Sequence, residues 1–284
     1  MKIMALTILL YALTIAGTCS GQINTEQAPH QSIIVALICH DGILMAGDSR
    51  SAFITKGDSV SKKDTGSSIA YAYFDHTQKI FPLGKYLIGI TGEGLAGKNF
   101  FSAIIQRFLS THPGNMTITE SFNALMKFIQ TEYGISNPGL LQGTQFIMAG
   151  FEDDRPVIYG FSARGILSEK RIGGALESDG DFIPYLVKPD NVPLNCSEVA
   201  PLIEMEINTF ARDKHNQLTG GPVQILQIKP NNQTVRIKSF KPHGFKTYDE
   251  MALAILNESL PVTYIYPWSE GVLKETLRQA LGAK

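Results

Sequence analysis

Cysteine is scarce in this chain: its 284 residues hold three, Cys19, Cys39 and Cys196. That is too few for a disulfide framework, and no CxxC pair is present to seed a metal knuckle. Net charge is almost absent too, since 25 Lys and Arg face 26 Asp and Glu for a formal charge of -1. Such a balance argues against nucleic acid as a partner, at least one gripped through a broad basic surface. Long hydrophobic runs are missing: none reaches the roughly 18 residues of a confident membrane span, and the only candidate sits at the extreme N-terminus. The histidines (His30, His40, His76, His112, His215 and His243) follow no HExxH or HxH spacing, so neither a metal nor another cofactor is expected. What is present is a hydrophobic content of 44% with 26 glycines, the composition of a globular protein and not of a disordered one. The length suits one large or two small domains.

The N-terminal residues stand apart from the rest. Lys2 is followed by the apolar Ile3 to Ala16 and then by the small residues Gly17, Thr18, Cys19 and Ser20, the layout of an export signal over residues 1–20. A periplasmic or extracellular location follows, with no stable membrane span once the signal is removed. A buried or anchoring helix is the alternative, and lipid attachment at Cys19 is disfavoured because Ala16-Gly17-Thr18 matches a lipobox poorly. Residues 21–31 are mostly polar and carry Pro29, as in a linker or propeptide.

From Ser32 the pattern changes to β-branched and apolar residues. Ser32 to Cys39 and Ile43 to Asp48 flank His40-Asp41-Gly42, which predicts two buried strands joined at an Asp-Gly turn. A second hairpin is expected at Lys79 to Leu83 and Tyr86 to Thr91, turning at Gly84-Lys85. The intervening Ser51 to Thr77 is rich in Ser, Lys, Asp and Gly and reads as an exposed loop with one short strand near Ile69 to Phe74. Phe100, Ile104, Ile105 and Phe108 recur at helical spacing, and Thr117-Ile-Thr-Glu120 is a capping-box signature for a second helix. Strands are predicted at Gln145 to Phe151, Val157 to Ser162 and Ser168 to Ile172. A helix capped by Ser197 follows, then strands at Val223 to Ile228 and Thr234 to Ile237. Clustered, not alternating, elements indicate an α+β fold with antiparallel sheets packed together and helices outside. Residues 241–284 form a C-terminal extension with a closing helix from Ser269 and no role that the sequence assigns.

Asp48-Ser49-Arg50 ends the second strand with opposite charges two residues apart, a spacing that puts both side chains on one face. Burying them is costly unless they satisfy each other or serve a site; a strand end reaching solvent is the plainer alternative. Lys79 likewise is either a solvated strand-edge lysine or part of the chemistry.

Taken together, Ser32-Ile-Ile-Val-Ala, His40-Asp-Gly-Ile-Leu-Met-Ala-Gly-Asp48-Ser-Arg-Ser51, Lys79-Ile-Phe81 and Ile90-Thr-Gly92 resemble proteasome β-type subunits and their bacterial relatives, members of the N-terminal-nucleophile hydrolases. The likeness continues at Phe146-Ile-Met-Ala-Gly150, and more loosely at Phe210-Ala-Arg-Asp213 and Thr219-Gly-Gly221, so it spans about residues 32–237. It implies a four-layer α-β-β-α sandwich, with 32–240 as the hydrolase domain. It also implies that autocleavage after Gln31 frees Ser32, whose hydroxyl attacks an amide while its own α-amine, titrating near about 8, acts as base. In that scheme Lys79 eases deprotonation of the nucleophile, Asp48 holds Lys79, the Gly92 amide stabilises the oxyanion, and Asp213 supports the new N-terminus. Arg50 and Thr219 are supporting residues. The implied partners are a peptide or other amide substrate and further copies of the chain in a homo-oligomer.

Three departures from the family pattern stand out: Ser replaces Thr as nucleophile, Gln31 replaces the usual Gly, and Gly173-Gly174-Ala175 lacks the usual Ser. They keep two alternatives open, an inactive member used for binding or assembly and an unrelated α+β binding protein. Gly92-Glu-Gly-Leu-Ala-Gly97 fits GxGxxG, but in an antiparallel setting it reads as close packing at a helix start and not as a dinucleotide site. Asn115, Asn195, Asn232 and Asn257 lie in N-x-S/T triplets, of consequence only where secreted proteins are glycosylated. Cys39 and Cys196 are open to two readings, a pair formed after export or buried free thiols.

Overall fold

A computed structural model describes residues 33–55, 69–92, 94–112, 116–135, 141, 144–162, 165–171, 175–177, 194–212 and 218–282. The first hairpin forms as the sequence predicts, with β1 (Ile34–Cys39) and β2 (Gly42–Gly47) paired from Ile34↔Gly47 to Cys39↔Gly42. The segment read as an exposed loop holds two strands, β3 (Ser51–Thr55) and β4 (Ile69–Phe74), paired with each other. Ala52, Phe53, Tyr71, Ala72 and Phe74 are buried there, so the exposed-loop expectation is corrected. The polar composition that misled lies mainly in residues 56–68, outside the described residues. β5 (Ile80–Leu83) and β6 (Tyr86–Thr91) make the second hairpin.

A short ribbon, β7 (Leu95–Ala96) and β8 (Asn99–Phe100), turns at Gly97 before α1 (Phe101–Thr111). The GxGxxG stretch therefore does not run straight into a helix. The capping box is present on α2 (Ile118–Tyr133): the Glu120 amide donates to Thr117 Oγ1, and the Thr117 amide donates to Glu120. β9 (Gln145–Glu152), β10 (Arg155–Ser162), β11 (Gly165–Arg171) and β12 (Ala175–Glu177) follow.

The next helix, α3 (Cys196–Arg212), begins one residue before its expected cap, so Ser197 lies inside it. Asp41, from the β1–β2 turn, accepts instead from the Cys196 amide at 2.7 Å, satisfying a first-turn donor from across the fold. β13 (Gln224–Ile228) and β14 (Thr234–Lys238) come next. The C-terminal residues add α4 (Tyr248–Leu256), β15 (Thr263–Tyr264) and α5 (Ser269–Ala280), the last starting where the sequence placed a closing helix.

Two five-stranded antiparallel sheets organise the body, ordered β12-β1-β2-β13-β14 and β11-β10-β9-β6-β5. Strand periodicity explains the layers. On β1, Ile34, Ala36 and Ile38 point into the space between the sheets, against Leu87, Ile147 and Ile158. The alternate residues Val35, Leu37 and Cys39 pack on Val199, Ile203 and Ile207 of α3. The second sheet does the same: Ile88, Phe146 and Met148 face α1 and α2. A strand buried on both faces needs no polar alternation, which is why these strands read as continuous apolar runs. The sheets approach closely at Gly89, where a Cβ would lie 2.6 Å from Ile34 Cγ2. The result is the α-β-β-α sandwich that the family resemblance implied.

A third sheet, β15-β4-β3, joins the C-terminal residues to the body. Phe53, Tyr71, Phe74 and Phe100 share one core with Met251, Ile255, Leu273 and Leu277. Cys39 and Cys196 are buried free thiols, the second of the two states considered. No helix among the described residues is long and apolar enough to cross a membrane.

Candidate active site

The site is built where the start of β1, the end of β2, the approach to β5 and the approach to β13 converge. Asp48 follows β2 and is 1% exposed, and Lys79 precedes β5 and is 6% exposed. Their side chains meet, with Lys79 Nζ 3.2 Å from Asp48 Oδ1. Neither sits at a solvated strand end, so the plainer alternatives for both residues are ruled out.

Burying two charges is tolerated only when their remaining valences are filled. Asp48 Oδ1 also accepts from the Ile33 amide at 3.1 Å, and Oδ2 accepts from the amides of Arg50 at 3.1 Å and Gly220 at 2.9 Å. Lys79 Nζ donates a second bond to the Arg50 carbonyl. One carboxylate thus ties four chain segments together. Burial pushes the Lys79 ammonium below the ordinary lysine range, because the neighbouring Asp48 only partly offsets the lost hydration. The same burial pushes the Asp48 carboxyl up against the pull of Lys79 and the amide donors.

Arg50 does not pair with the Asp48 side chain, as their spacing had suggested. Residues 48–50 lie beyond β2, and the guanidinium turns to Asp75, with Nε 3.0 Å from Oδ1. It also donates to the Thr219 carbonyl at 3.3 Å and lies 3.6 Å above the Tyr73 ring. Thr219 is buried and contributes that carbonyl. The two following glycines pack closely against neighbouring side chains. A Cβ on Gly220 would lie 2.6 Å from Arg50 Cζ, and one on Gly221, at φ +74°, would lie 2.6 Å from Ser49 Oγ.

Ser49, Asp75 and Gln224 are site-shaping residues that the sequence did not single out. The Ser49 carbonyl accepts from the Thr77 amide at 2.9 Å and its hydroxyl from the His76 amide at 3.3 Å, which fixes the chain leading to Lys79. Gln224 bridges the two sheets by accepting from the Ile80 amide and donating to the Ile80 carbonyl. Only Ser49 carried a signal, its place between two charged residues; Asp75 and Gln224 act through contacts remote in sequence.

Gly92 is buried at φ +89° and lines a cleft of about 580 Å³, counting its open mouth, together with Ser51, Thr77 and Lys79. Ser32 and Asp213 lie outside the described residues. The residue after Ser32 is nevertheless in place: the Ile33 amide is bonded to Asp48, and its carbonyl accepts from the Asp48 amide at 3.3 Å. Among the described residues, no cluster of three or more His, Cys, Asp or Glu is placed to hold a metal ion.

Two stacked antiparallel sheets between helices, with a buried Asp–Lys pair at the head of the first strand, define an N-terminal-nucleophile-hydrolase type of protein. The chain is 33% identical over 216 residues to a proteasome subunit beta of Stackebrandtia nassauensis, covering 72% of this chain and 71% of that one. It is 24% identical over 241 residues to a proteasome subunit beta of Streptomyces griseus, covering 82% and 79%. It belongs to the proteasome β-subunit family, a family of N-terminal-nucleophile-hydrolase-type peptidases. Two solved structures of Anbu from Hyphomicrobium, one of them a mutant, cover 89% of this chain and 97% of theirs at 13% identity, with TM-scores of 0.45 and 0.43. No family model matches the chain.

Proposed function

We propose that this chain hydrolyses peptide or other amide bonds with Ser32 as an N-terminal nucleophile, exposed by autocleavage after Gln31. The observation that carries the reading is the bond from the Ile33 amide to Asp48, which in turn pairs with Lys79. On this reading Ser32, the neighbour of Ile33 in the chain, reacts beside that buried ammonium.

The chemistry then runs as follows. The Ser32 hydroxyl attacks the amide carbonyl and its proton passes to the α-amine of the same residue, which near about pH 8 is a usable base where an ordinary lysine is not. The oxygen that gains charge is met by the Gly92 amide. Collapse breaks the C–N bond, the ammonium returns its proton to the leaving amine, and an ester on Ser32 remains. Water adds to that ester by the same proton route and regenerates Ser32 with its free amine. The Lys79 charge favours the deprotonated hydroxyl, and Asp48 positions Lys79. Asp213 and Thr219 support the new N-terminus, and Arg50 holds residue 219 and the 75–79 segment together. Residues 1–20 act as an export signal and 21–31 as a propeptide ahead of a 32–240 hydrolase domain. The active form is a homo-oligomer.

Intact mass of the purified chain tests the scheme. A species beginning at Ser32 is expected, accompanied by hydrolysis of peptide amides that disappears in Ser32→Ala and Lys79→Ala. A chain that retains residue 31 and cleaves nothing would instead establish the second reading, an inactive member of the family, which Gln31 and the missing Ser in Gly173-Gly174-Ala175 favour.

A further inference from the structure

The C-terminal extension reaches the cleft. Beyond β14 the chain runs along the 75–79 segment, where the His243 amide donates to the His76 carbonyl at 3.1 Å. It then passes β8, where the Phe100 amide donates to the Lys246 carbonyl at 2.9 Å and the Tyr248 amide to the Lys98 carbonyl at 2.7 Å. These bonds set His243 and Phe245 in the wall of the cleft that Lys79 and Gly92 also line. The two rings stack, with centroids 5.5 Å apart and an interplanar angle of 22°. His243 also meets Phe74 edge-on at 6.3 Å, and Phe245 lies 6.5 Å from Phe100. The wall is therefore a braced aromatic surface supplied by the chain itself.

Apart from the paired Lys79, the described lining residues are uncharged. Phe81 and Phe101 extend the apolar wall, and Thr77 and Gln78 supply uncharged polar atoms. The charge of Lys79 is already matched by Asp48. Burial, with His76 beside it, holds the His243 imidazole below the ordinary histidine range, so at neutral pH it adds no charge. Among the described lining residues none is a carboxylate that would receive a substrate cation, and a side chain entering the cleft loses hydration.

We infer that His243 and Phe245, contributed in cis by the C-terminal extension, are specificity-determining residues that make the cleft select a neutral apolar or aromatic side chain of a peptide substrate. The inference rests on the proposed hydrolase reading for its substrate class. It assigns the selecting wall to residues outside the stretch that carries the family resemblance.

The test separates binding from cleavage. Ser32→Ala protein produced in the processed form, beginning at residue 32, is titrated calorimetrically with acetyl-tripeptide amides that differ only in the last residue: Phe, Leu, Arg or Asp. The Phe and Leu peptides are expected to bind at least about tenfold tighter than the Arg and Asp peptides, the scale that a few methylenes or one aromatic ring set in a pocket. Adding Phe245→Ala or His243→Ala should weaken the Phe peptide about tenfold and narrow its advantage over Arg. Phe245→Leu, which keeps an apolar side chain in the wall, should retain the Leu peptide while losing part of the preference for Phe. Equal binding of all four peptides, no binding at millimolar concentration, or a preference unmoved by both folded variants would overturn the inference. If the selectivity appears but the unmutated chain cleaves none of these peptides, the hydrolase reading fails and the selecting wall stands. If cleavage occurs with a preference indifferent to residues 243 and 245, the reverse holds.

Discussion

Replacing Asp48 by Asn tests whether one buried carboxylate organises the site. The substitution keeps the shape and removes the charge. Its single oxygen can still receive Ile33 and Lys79, but its amide nitrogen then faces the backbone amides of Arg50 and Gly220, donor against donor. Lys79, 6% exposed, loses its bridging carboxylate. Removing one partner of a buried pair costs about 3–5 kcal/mol. At roughly 2–4 °C per kcal/mol for a chain of this size, the melting temperature should fall by about 6–20 °C. Lys79→Met should cost less, because Asp48 keeps its three amide donors. Residues that touch couple, so the double variant should lose about 1–3 kcal/mol less than the sum of the two single losses. Thermal melts at pH 7 by circular dichroism, read alongside urea midpoints, measure all four proteins. An Asp48→Asn protein melting within 2 °C of the unmutated chain, or strict additivity in the double variant, would refute the account.

Three further outcomes follow from the geometry. Gly89→Ala places a Cβ 2.6 Å from Ile34 Cγ2 between the sheets and should destabilise by about 1–3 kcal/mol, read from a urea midpoint; an unchanged midpoint would mean that the sheets separate freely there. Thr117→Ala removes the side chain that accepts from the Glu120 amide and should cost about 0.5–2 kcal/mol by the same measurement, with Thr117→Ser largely restoring it. The folded-state pKa of His243 lies below its unfolded value of about 6.5, so the unfolded chain binds more protons in mild acid and stability is lost as pH falls through the folded value. His243→Gln should therefore lose less of its melting temperature than the unmutated chain between pH 7.5 and 5; parallel curves for the two proteins would contradict this.

How much of this was legible beforehand follows from the range of the interactions. The first hairpin, the capping box at Thr117 and the strand at Ile69–Phe74 rest on local pattern, and all three are present. Asp48 and Lys79 stood out because charges at the ends of apolar strands are costly, although their pairing came from family resemblance and not from spacing. Arg50 shows the limit of spacing arguments. Two residues after Asp48 should share its face, but β2 ends at Gly47 and the guanidinium finds Asp75 instead. The exposed-loop reading of Ser51–Thr77 failed for a similar reason. Composition averaged a polar middle with strands whose burial depends on α4 and α5, elements about 200 residues away in the chain. Backbone donors such as Gly220 leave no side-chain signature at all.

The site and the fold are one construction. Asp48 is accommodated in the interior because amides from β1, from the 48–50 turn and from the Gly220 loop reach it together, and Ser49 and Arg50 hold the 75–79 segment that brings Lys79 to it. That same segment carries His76, whose carbonyl anchors His243 and with it the cleft wall. A disturbance at residues 76–79 therefore acts on both the ion pair and the selecting wall, whereas one at Phe245 acts on the wall alone. On the proposed reading, substitutions in the C-terminal extension should change which peptide is bound while leaving reactivity at Ser32 in place, and substitutions at Ser49 should change both. A Ser49→Ala chain that kept full affinity for the Phe peptide and an undisturbed Asp48–Lys79 coupling would show the two features to be independent.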